Sequence, residues 1–284
     1  MKKVLIAGNN SYVGTSIETW LNKEKSSFHV DILVTITSSW RLCSLKDYDV
    51  VCYVFETSLA NIKDNLIQYY KENCDVAIEI AQKAKEQGVK QFIFISSSCV
   101  FKDITDLSLT VIRPETKPTP NNYVGNVFLQ TEKSIDNLKS QTFRISIIRC
   151  PMIYGPHYKG DLLLLESLAK KCIIFPAWHN MRSMIYIDNL TEFVKCLIIR
   201  EEDGYFYPQN KELSDCVEIV RHIAKMHNHK IWISKLFNPF VIICSWFFPQ
   251  ISNIFADYLY IPEMSVYDFD YHKFTFEESL KYVL

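Results

Sequence analysis

Short apolar runs with no polar face alternate with longer stretches of helical periodicity through the first half of the chain. Residues 4–7 (VLIA) offer no side to solvent, which predicts a strand of a parallel sheet covered on both faces. Residues 15–21 continue as a helix, 30–35 and 49–55 read as further strands, and 60–87 read as one long helical stretch. Gly88 stands where a helix C-cap belongs. Residues 91–96 predict a strand, 123–138 a helix and 143–149 another strand. Repeated units of this kind predict an α/β fold, a Rossmann-like doubly wound parallel sheet that takes its ligand at the carboxyl ends of the strands. Residues 1–150 read as that dinucleotide-binding unit. From Pro151 the pattern loosens, with helices over 188–199 and 213–226 and short strands over 205–207 and 230–234. Residues 151–284 read mainly as a smaller C-terminal substrate lobe, with segments returning to the first unit.

Composition narrows the function classes. With 284 residues, 48% hydrophobic and 14% aromatic, the chain can enclose a core without disulfides or metal, and it is not a disordered polymer. The 31 basic and 32 acidic side chains leave a net charge of −1, so no overall field draws nucleic acid, and none is expected as a partner. Nine cysteines include no C-x-x-C pair, and the start MKKVLIAG runs into a strand pattern instead of a secretory signal. Both point to a cytoplasmic protein whose cysteines serve as small core residues.

One segment stands apart. Residues 236–248 (LFNPFVIICSWFF) are almost wholly apolar, but a membrane span needs about 20 such residues, so no transmembrane span is expected. The run reads as a buried lobe helix, or as a helix lying at a membrane periphery or against a partner or second copy. His227 and His229 read as a surface turn, and no metal site is expected.

The chemistry centres on GNNSYVG after the first strand. Gly8 suits the tight turn, Gly14 suits close contact between helix and sheet, and Ser11 stands in for the middle glycine of a phosphate-binding turn. The same pattern also suits a plain strand-to-helix turn. No G-x-S-x-G elbow, Walker lysine loop or H-E-x-x-H is present, which leaves hydrolase and nucleoside-triphosphatase readings without support.

Four segments carry a family resemblance: KKVLIAGNNSYVGTSIETWL at the start, GVKQFIFISSSCVF (88–101), IIRCPMIYGP (147–156) and RSMIYIDNL (182–190). Together they resemble the extended short-chain dehydrogenase/reductases, the NAD-dependent epimerase/dehydratase family, and in particular bacterial UDP-sugar 4-epimerase-like proteins of polysaccharide gene clusters. The seven glycines, at 8, 14, 88, 125, 155, 160 and 204, fall where turns of that family are expected. The resemblance implies NAD as cofactor, with NADP also open, and a nucleotide sugar as substrate; a homodimer is compatible with it. It implies cofactor contacts at Gly8, Asn10, Ser11, Tyr12, Val13, Gly14, Asn73, Ser96 and Pro151. Arg182 and Tyr154 would touch the substrate. Ser97 would hold the reacting hydroxyl, and Tyr123 would act as the base.

The chain departs from the family where proton transfer is done. Family members read Y-G-x-S-K-L-x-x-E; this chain reads NYVGNVFLQTE (122–132). Anchored on Gly125, Leu129 and Glu132, the tyrosine position holds Val124 and the lysine position Phe128. Anchored on Tyr123, the lysine position holds Val127. A free phenol has a pKa of about 10, so only about one in a thousand is ionised at neutral pH. Val34 stands near the place of the ribose-binding acid, and YVFETS (53–58) replaces a small, alanine-rich turn. Two functions remain open from the sequence: a slow nucleotide-sugar epimerase of cell-surface polysaccharide synthesis, or a non-catalytic nucleotide-sugar or dinucleotide binding subunit or sensor.

Overall fold

In a computed structural model, which describes residues 1–8, 11–55, 66–102, 104, 106–158 and 161–283, the two-faced apolar strands form one sheet buried from both sides. The first half contains β1 (Lys2–Ala7), α1 (Tyr12–Leu21), β2 (Phe28–Leu33), β3 (Val50–Val54), α2 (Leu66–Tyr70), α3 (Val76–Glu86), β4 (Gln91–Ser97), β5 (Thr110–Ile112), α4 (Tyr123–Asp136) and β6 (Arg144–Cys150). It continues with β7 (Met152–Tyr154), α5 (Asp161–Lys171), β8 (Ile174–Pro176), β9 (Met184–Tyr186), α6 (Ile187–Arg200) and β10 (Gly204–Phe206). The last part holds α7 (Cys216–Met226), β11 (Trp232–Ser234), α8 (Asn238–Phe247), α9 (Pro249–Phe255), β12 (Tyr258–Tyr260) and α10 (Phe276–Val283).

The main sheet has the order β10-β6-β4-β3-β1-β2, with every pair parallel. Val4 and Ile6 of β1 enter one hydrophobic cluster while Leu5 and Ala7 enter the other, so the pleat divides each strand between two cores. Helices α1 and α6 pack together over the first core; α3 and α4 pack together over the second. Strands leave β1 in opposite directions, β2 to one side and β3 to the other. That reversal makes a crevice at the carboxyl ends of β1 and β3, where ligands bind in sheets of this kind.

Local chemistry explains where elements start and stop. Gly88 adopts φ +84°, and the Val89 N–H closes the end of α3 on the Ala84 carbonyl at 3.0 Å. Asp215 caps α7, its carboxylate accepting from the Val217 N–H at 2.7 Å, so this helix begins at Cys216 and not at 213. The long helix expected over 60–87 is broken. Residues 56–65 lie outside the described residues, and a π-helical turn at Lys71–Asp75 separates α2 from α3. The Asn73 side-chain amide donates to the Tyr69 carbonyl at 3.0 Å and competes there with the Asn73 N–H, which an unbroken α-helix would place on that oxygen.

In the second half, α6 and β10 return to the main sheet, while β8, β9, β11 and β12 each make a short parallel pair with another strand. The expected buried lobe helix at 236–248 is corrected by the structure. In α8 only Val241 is buried, and Trp246 is 75% exposed. The reason is that α8 gives the lobe core only Val241, while α9 supplies Ile254 and Phe255. No helix among the described residues is long and apolar enough to cross a membrane.

Candidate active-site cleft

Backbone geometry builds the first end of the site. Gly8 follows β1 at φ +148°, and a Cβ on it would lie 2.5 Å from the Val54 carbonyl oxygen of β3, so only glycine fits. Ser11 is the N-cap of α1, its Oγ accepting from the Gly14 N–H at 3.1 Å. A Cβ on Gly14 would come within 3.0 Å of that same Oγ. A crevice of about 10 Å³ lies beside this turn, lined in part by Gly8, Ser11, Gly14 and Ile32.

A larger cleft of about 430 Å³ opens between the strand ends and the lobe. It brings together seven residues chosen from sequence: Ser11, Tyr12, Val13, Ser96, Ser97, Pro151 and Arg182. Lys102, Tyr158, Asn253 and Tyr258 join them. Arg182 is held in place by its backbone, which exchanges hydrogen bonds with Ser214 at 3.0 Å each way. Tyr258 latches the lobe to the sheet, its hydroxyl donating to the Ser98 carbonyl at 2.7 Å. The charged side chains on the described lining are Lys102 and Arg182, with no Asp or Glu among them. Such a wall favours an anion, and a guanidinium fork suits a diphosphate.

The individual side chains have definite commitments. Ser97 caps the turn after β4, its Oγ accepting from the Cys99 N–H at 3.3 Å. Ser96 donates to the Glu132 carboxylate at 2.5 Å. Glu132 of α4 is wholly buried and pairs with Arg149 of β6, Nη2 to Oε2 at 2.7 Å, while the other guanidinium arm reaches the Tyr207 hydroxyl at 3.1 Å. Burial pushes the Glu132 carboxyl upward against the pull of the Arg149 guanidinium and the Ser96 hydroxyl. Tyr12 packs on Tyr158 with ring centroids 5.0 Å apart. Burial, then Asp188 and Tyr158, push its phenol well above the ordinary value, so it stays protonated near neutrality.

Other residues chosen from sequence lie elsewhere. Tyr123 begins α4 but is 36% exposed and does not line the cleft; its hydroxyl donates to the Leu66 carbonyl at 2.6 Å. Tyr154 is buried, bonded to Ser279 at 2.7 Å and Asn210 at 2.8 Å. Asn73 is buried in the π turn, and Asn10 lies outside the described residues. Val34 is exposed, with no carboxylate in its place. Phe128, at the lysine position of the Gly125 register, lines the cleft and stacks on Phe55 at 4.1 Å with the rings 29° apart. In the stretch 53–58, Phe55 thus has a role, while 56–58 lie outside the described residues. Lys133 points to solvent.

Two features escaped the sequence reading. Asn253, Tyr158 and Tyr258 carry no local signal, because long-range folding alone delivers them to the cleft. The Glu132–Arg149 pair did leave a trace: a charged residue inside the apolar run SIIRC has to find a carboxylate if that strand is buried.

A dinucleotide fits part of this arrangement. The glycine turn, the N-terminus of α1 and the adjoining cleft form a cradle for it, although the Ser11 hydroxyl already occupies the Gly14 N–H. Fold and cleft together define a Rossmann-type protein with a dinucleotide cradle and a ligand cleft whose described lining carries no acid. The sequence model of the NAD dependent epimerase/dehydratase family matches residues 4–205, and the chain belongs to that family.

Its relatives are distant. The UDP-glucose 4-epimerase of Vibrio cholerae is 26% identical over 258 residues, 81% of this chain and 77% of that protein. The N-acetyl-alpha-D-glucosaminyl-diphospho-ditrans,octacis-undecaprenol 4-epimerase of Escherichia coli O157:H7 is also 26% identical, over 272 residues, 88% of this chain and 80% of that protein. Among solved structures, the UDP-glucose 4-epimerase of Thermus thermophilus in complex with NAD superposes with a TM-score of 0.71 over 99% of this chain and 97% of that one. At 13% identity this is a likeness of fold.

Proposed function

We propose that this chain binds NAD and a nucleotide sugar in the cleft and interconverts the epimers of that sugar slowly, in the making of a polysaccharide precursor. The observation that carries the reading is the cleft whose described lining joins Lys102 and Arg182 to the serines at the end of β4 and includes no Asp or Glu. Gly8, Ser11 and the N-terminus of α1 would hold the cofactor pyrophosphate; when bound, NAD supplies a hydride acceptor. Arg182 and Lys102 hold the sugar diphosphate, and Ser97 offers a hydroxyl to the reacting sugar.

Proton removal is the slow step. No register of 122–132 places a lysine to lower the pKa of the base: Val127 holds that position for Tyr123, and Phe128 holds it in the Gly125 register. Tyr123, which lies outside the cleft lining, has to leave the Leu66 carbonyl and turn into the cleft before it can serve. Ionising an unassisted phenol at neutral pH costs about 4 kcal/mol, a slowing of roughly a thousandfold.

The test is interconversion of UDP-glucose and UDP-galactose, and of their N-acetyl forms, from about pH 7 to about pH 10, the span over which a phenol ionises. A slow rate that climbs with pH and disappears in Tyr123→Phe is expected; a rate that is fast at neutral pH overturns the mechanism. Calorimetry with Arg182→Ala should show UDP-sugar binding weakened by about 1.5–3 kcal/mol, the scale of a charged hydrogen bond. Equal affinity in the variant and its parent would move the diphosphate away from Arg182.

A second reading, binding without turnover as a subunit or sensor, is favoured by one observation. The Phe55–Phe128 stack fills cleft space with two rings that cannot move a proton. UDP-sugar binding with no conversion at any pH would select it.

A further inference from the structure

Burial within the chain does not explain α8. A helix that is apolar on every side is ordinarily enclosed, yet Phe240, Ile243, Trp246 and Phe247 all face solvent. The apolar surface extends beyond the helix. Leu236 precedes it, and Trp232 of β11 stands beside Ile174, its partner in β8, both exposed.

This surface is held firmly. The Asn238 side-chain amide donates to the Ala177 carbonyl at 3.1 Å and anchors the start of α8. Behind the helix, α9 is tied to the lobe by Trp178, which donates to the Phe255 carbonyl at 2.9 Å, and by Asn180, which donates to the Ile254 carbonyl at 2.9 Å. The fold thus presents α8 outward from a fixed base.

Charge identifies the occupant. Between Glu218 and Asp257 the chain carries no Asp or Glu, while Arg221, Lys225, Lys230 and Lys235 are all exposed. A chain with a net charge of −1 has therefore gathered a basic, acid-free stretch around its most exposed aromatic residues. A second copy applied by twofold symmetry would set these cations against one another. Trp and Phe rings flanked by lysines match the interface of a bilayer instead, with rings at headgroup depth and ammonium groups on lipid phosphates.

We infer that α8 and β11 seat this protein on an anionic membrane surface, without crossing it. Because α9 follows α8 directly and carries Asn253 into the cleft, docking holds the sugar site near the headgroup layer; that consequence alone rests on the proposed function.

The test is co-sedimentation of the full chain with vesicles of phosphatidylethanolamine and phosphatidylglycerol, beside vesicles of phosphatidylcholine alone. Binding to the anionic vesicles that is weakened by salt is expected. Trp246→Ser/Phe247→Ser should reduce it at least about tenfold through lost apolar burial. Lys230→Glu/Lys235→Glu should reduce it by a similar factor through lost headgroup attraction. Both variants change exposed side chains, so thermal unfolding and UDP affinity should stay at parent values, which separates docking from the cleft reading. Failure to sediment with anionic vesicles overturns the inference, and so does binding that neither variant weakens. A dimer in solution that Trp246→Ser/Phe247→Ser turns into monomer would assign the surface to a second copy.

Discussion

The two ends of the cleft are built by different means. At the glycine turn, backbone packing sets the geometry: Gly8 sits against the Val54 carbonyl, and any side chain there would force β1 and β3 apart. At the α4 end, side chains decide, and Phe128 stacks on Phe55 where a lysine would assist a base. The contrast teaches how much each end says about chemistry. Gly8 is required by the sheet whether or not a cofactor binds, so its presence is a weak witness to function. Phe128 is buried among Phe55 and Phe94 yet lines the cleft, so a ring there both packs the core and leaves that wall without a lysine.

The largest effect is expected from rebuilding the α4 end. Val124→Tyr with Phe128→Lys, combined with Phe55→Ala to make room, should raise epimerisation at pH 7 by up to about a thousandfold, the factor that separates an assisted phenol from a free one. Initial rates on UDP-glucose measure this directly. An unchanged rate would mean that the missing pair does not limit turnover, and the contrast between the two ends would collapse.

Next comes the ion pair beneath that end. Arg149→Ala leaves Glu132 buried without its guanidinium and should destabilise the fold by about 3–5 kcal/mol in urea unfolding. Glu132→Leu with Arg149→Met should recover most of that loss, because a well-packed apolar pair avoids the desolvation of two charges. If the double variant is no better than the single one, the network with Ser96 and Tyr207 contributes more than the pair alone.

The glycine-turn end admits a finer test. Ser11→Gly frees the Gly14 N–H for a phosphate and should strengthen NAD binding by about 1 kcal/mol, while losing only a few tenths as a helix cap. Calorimetry and thermal unfolding read the two terms separately. Weaker NAD binding in this variant would make the Ser11 hydroxyl a cofactor ligand.

The smallest effect lies under the same helix. Glu192 of α6 accepts from Trp20 of α1 at 2.8 Å and pairs with Lys195 at 2.8 Å and Lys273 at 3.2 Å. Burial raises its carboxyl, but hydrogen bonds from Lys195, Trp20 and Lys273 outweigh that and hold it below the usual range. A carboxyl with a lowered folded pKa binds fewer protons folded than unfolded. Its stabilisation is therefore present above the unfolded value and is lost as pH falls through the folded one. Glu192→Gln should cost about 1 kcal/mol at neutral pH and flatten the acid limb of the stability profile. A parallel shift at every pH would take the carboxylate out of that dependence.

What could be read from the chain itself was what neighbouring residues decide. The two-faced apolar strands, the glycine turn with its serine, the cap at Gly88 and the missing lysine in 122–132 each rest on residues a few positions apart. Periodicity reports local conformation and how much of a residue is covered, but not which segment covers it. The break of the long helix at Asn73 needed the actual contest for the Tyr69 carbonyl, and Tyr123 needed the position of Leu66. Arg149 announced a buried charge, yet only packing of α4 on β6 named Glu132 as its partner. Residues 236–248 looked like core because they are apolar, and the tertiary structure gave the core side largely to α9 and left all of α8 but Val241 outside it. Hydrophobicity states that a surface favours leaving water; long-range topology decides whether this chain or something else covers it.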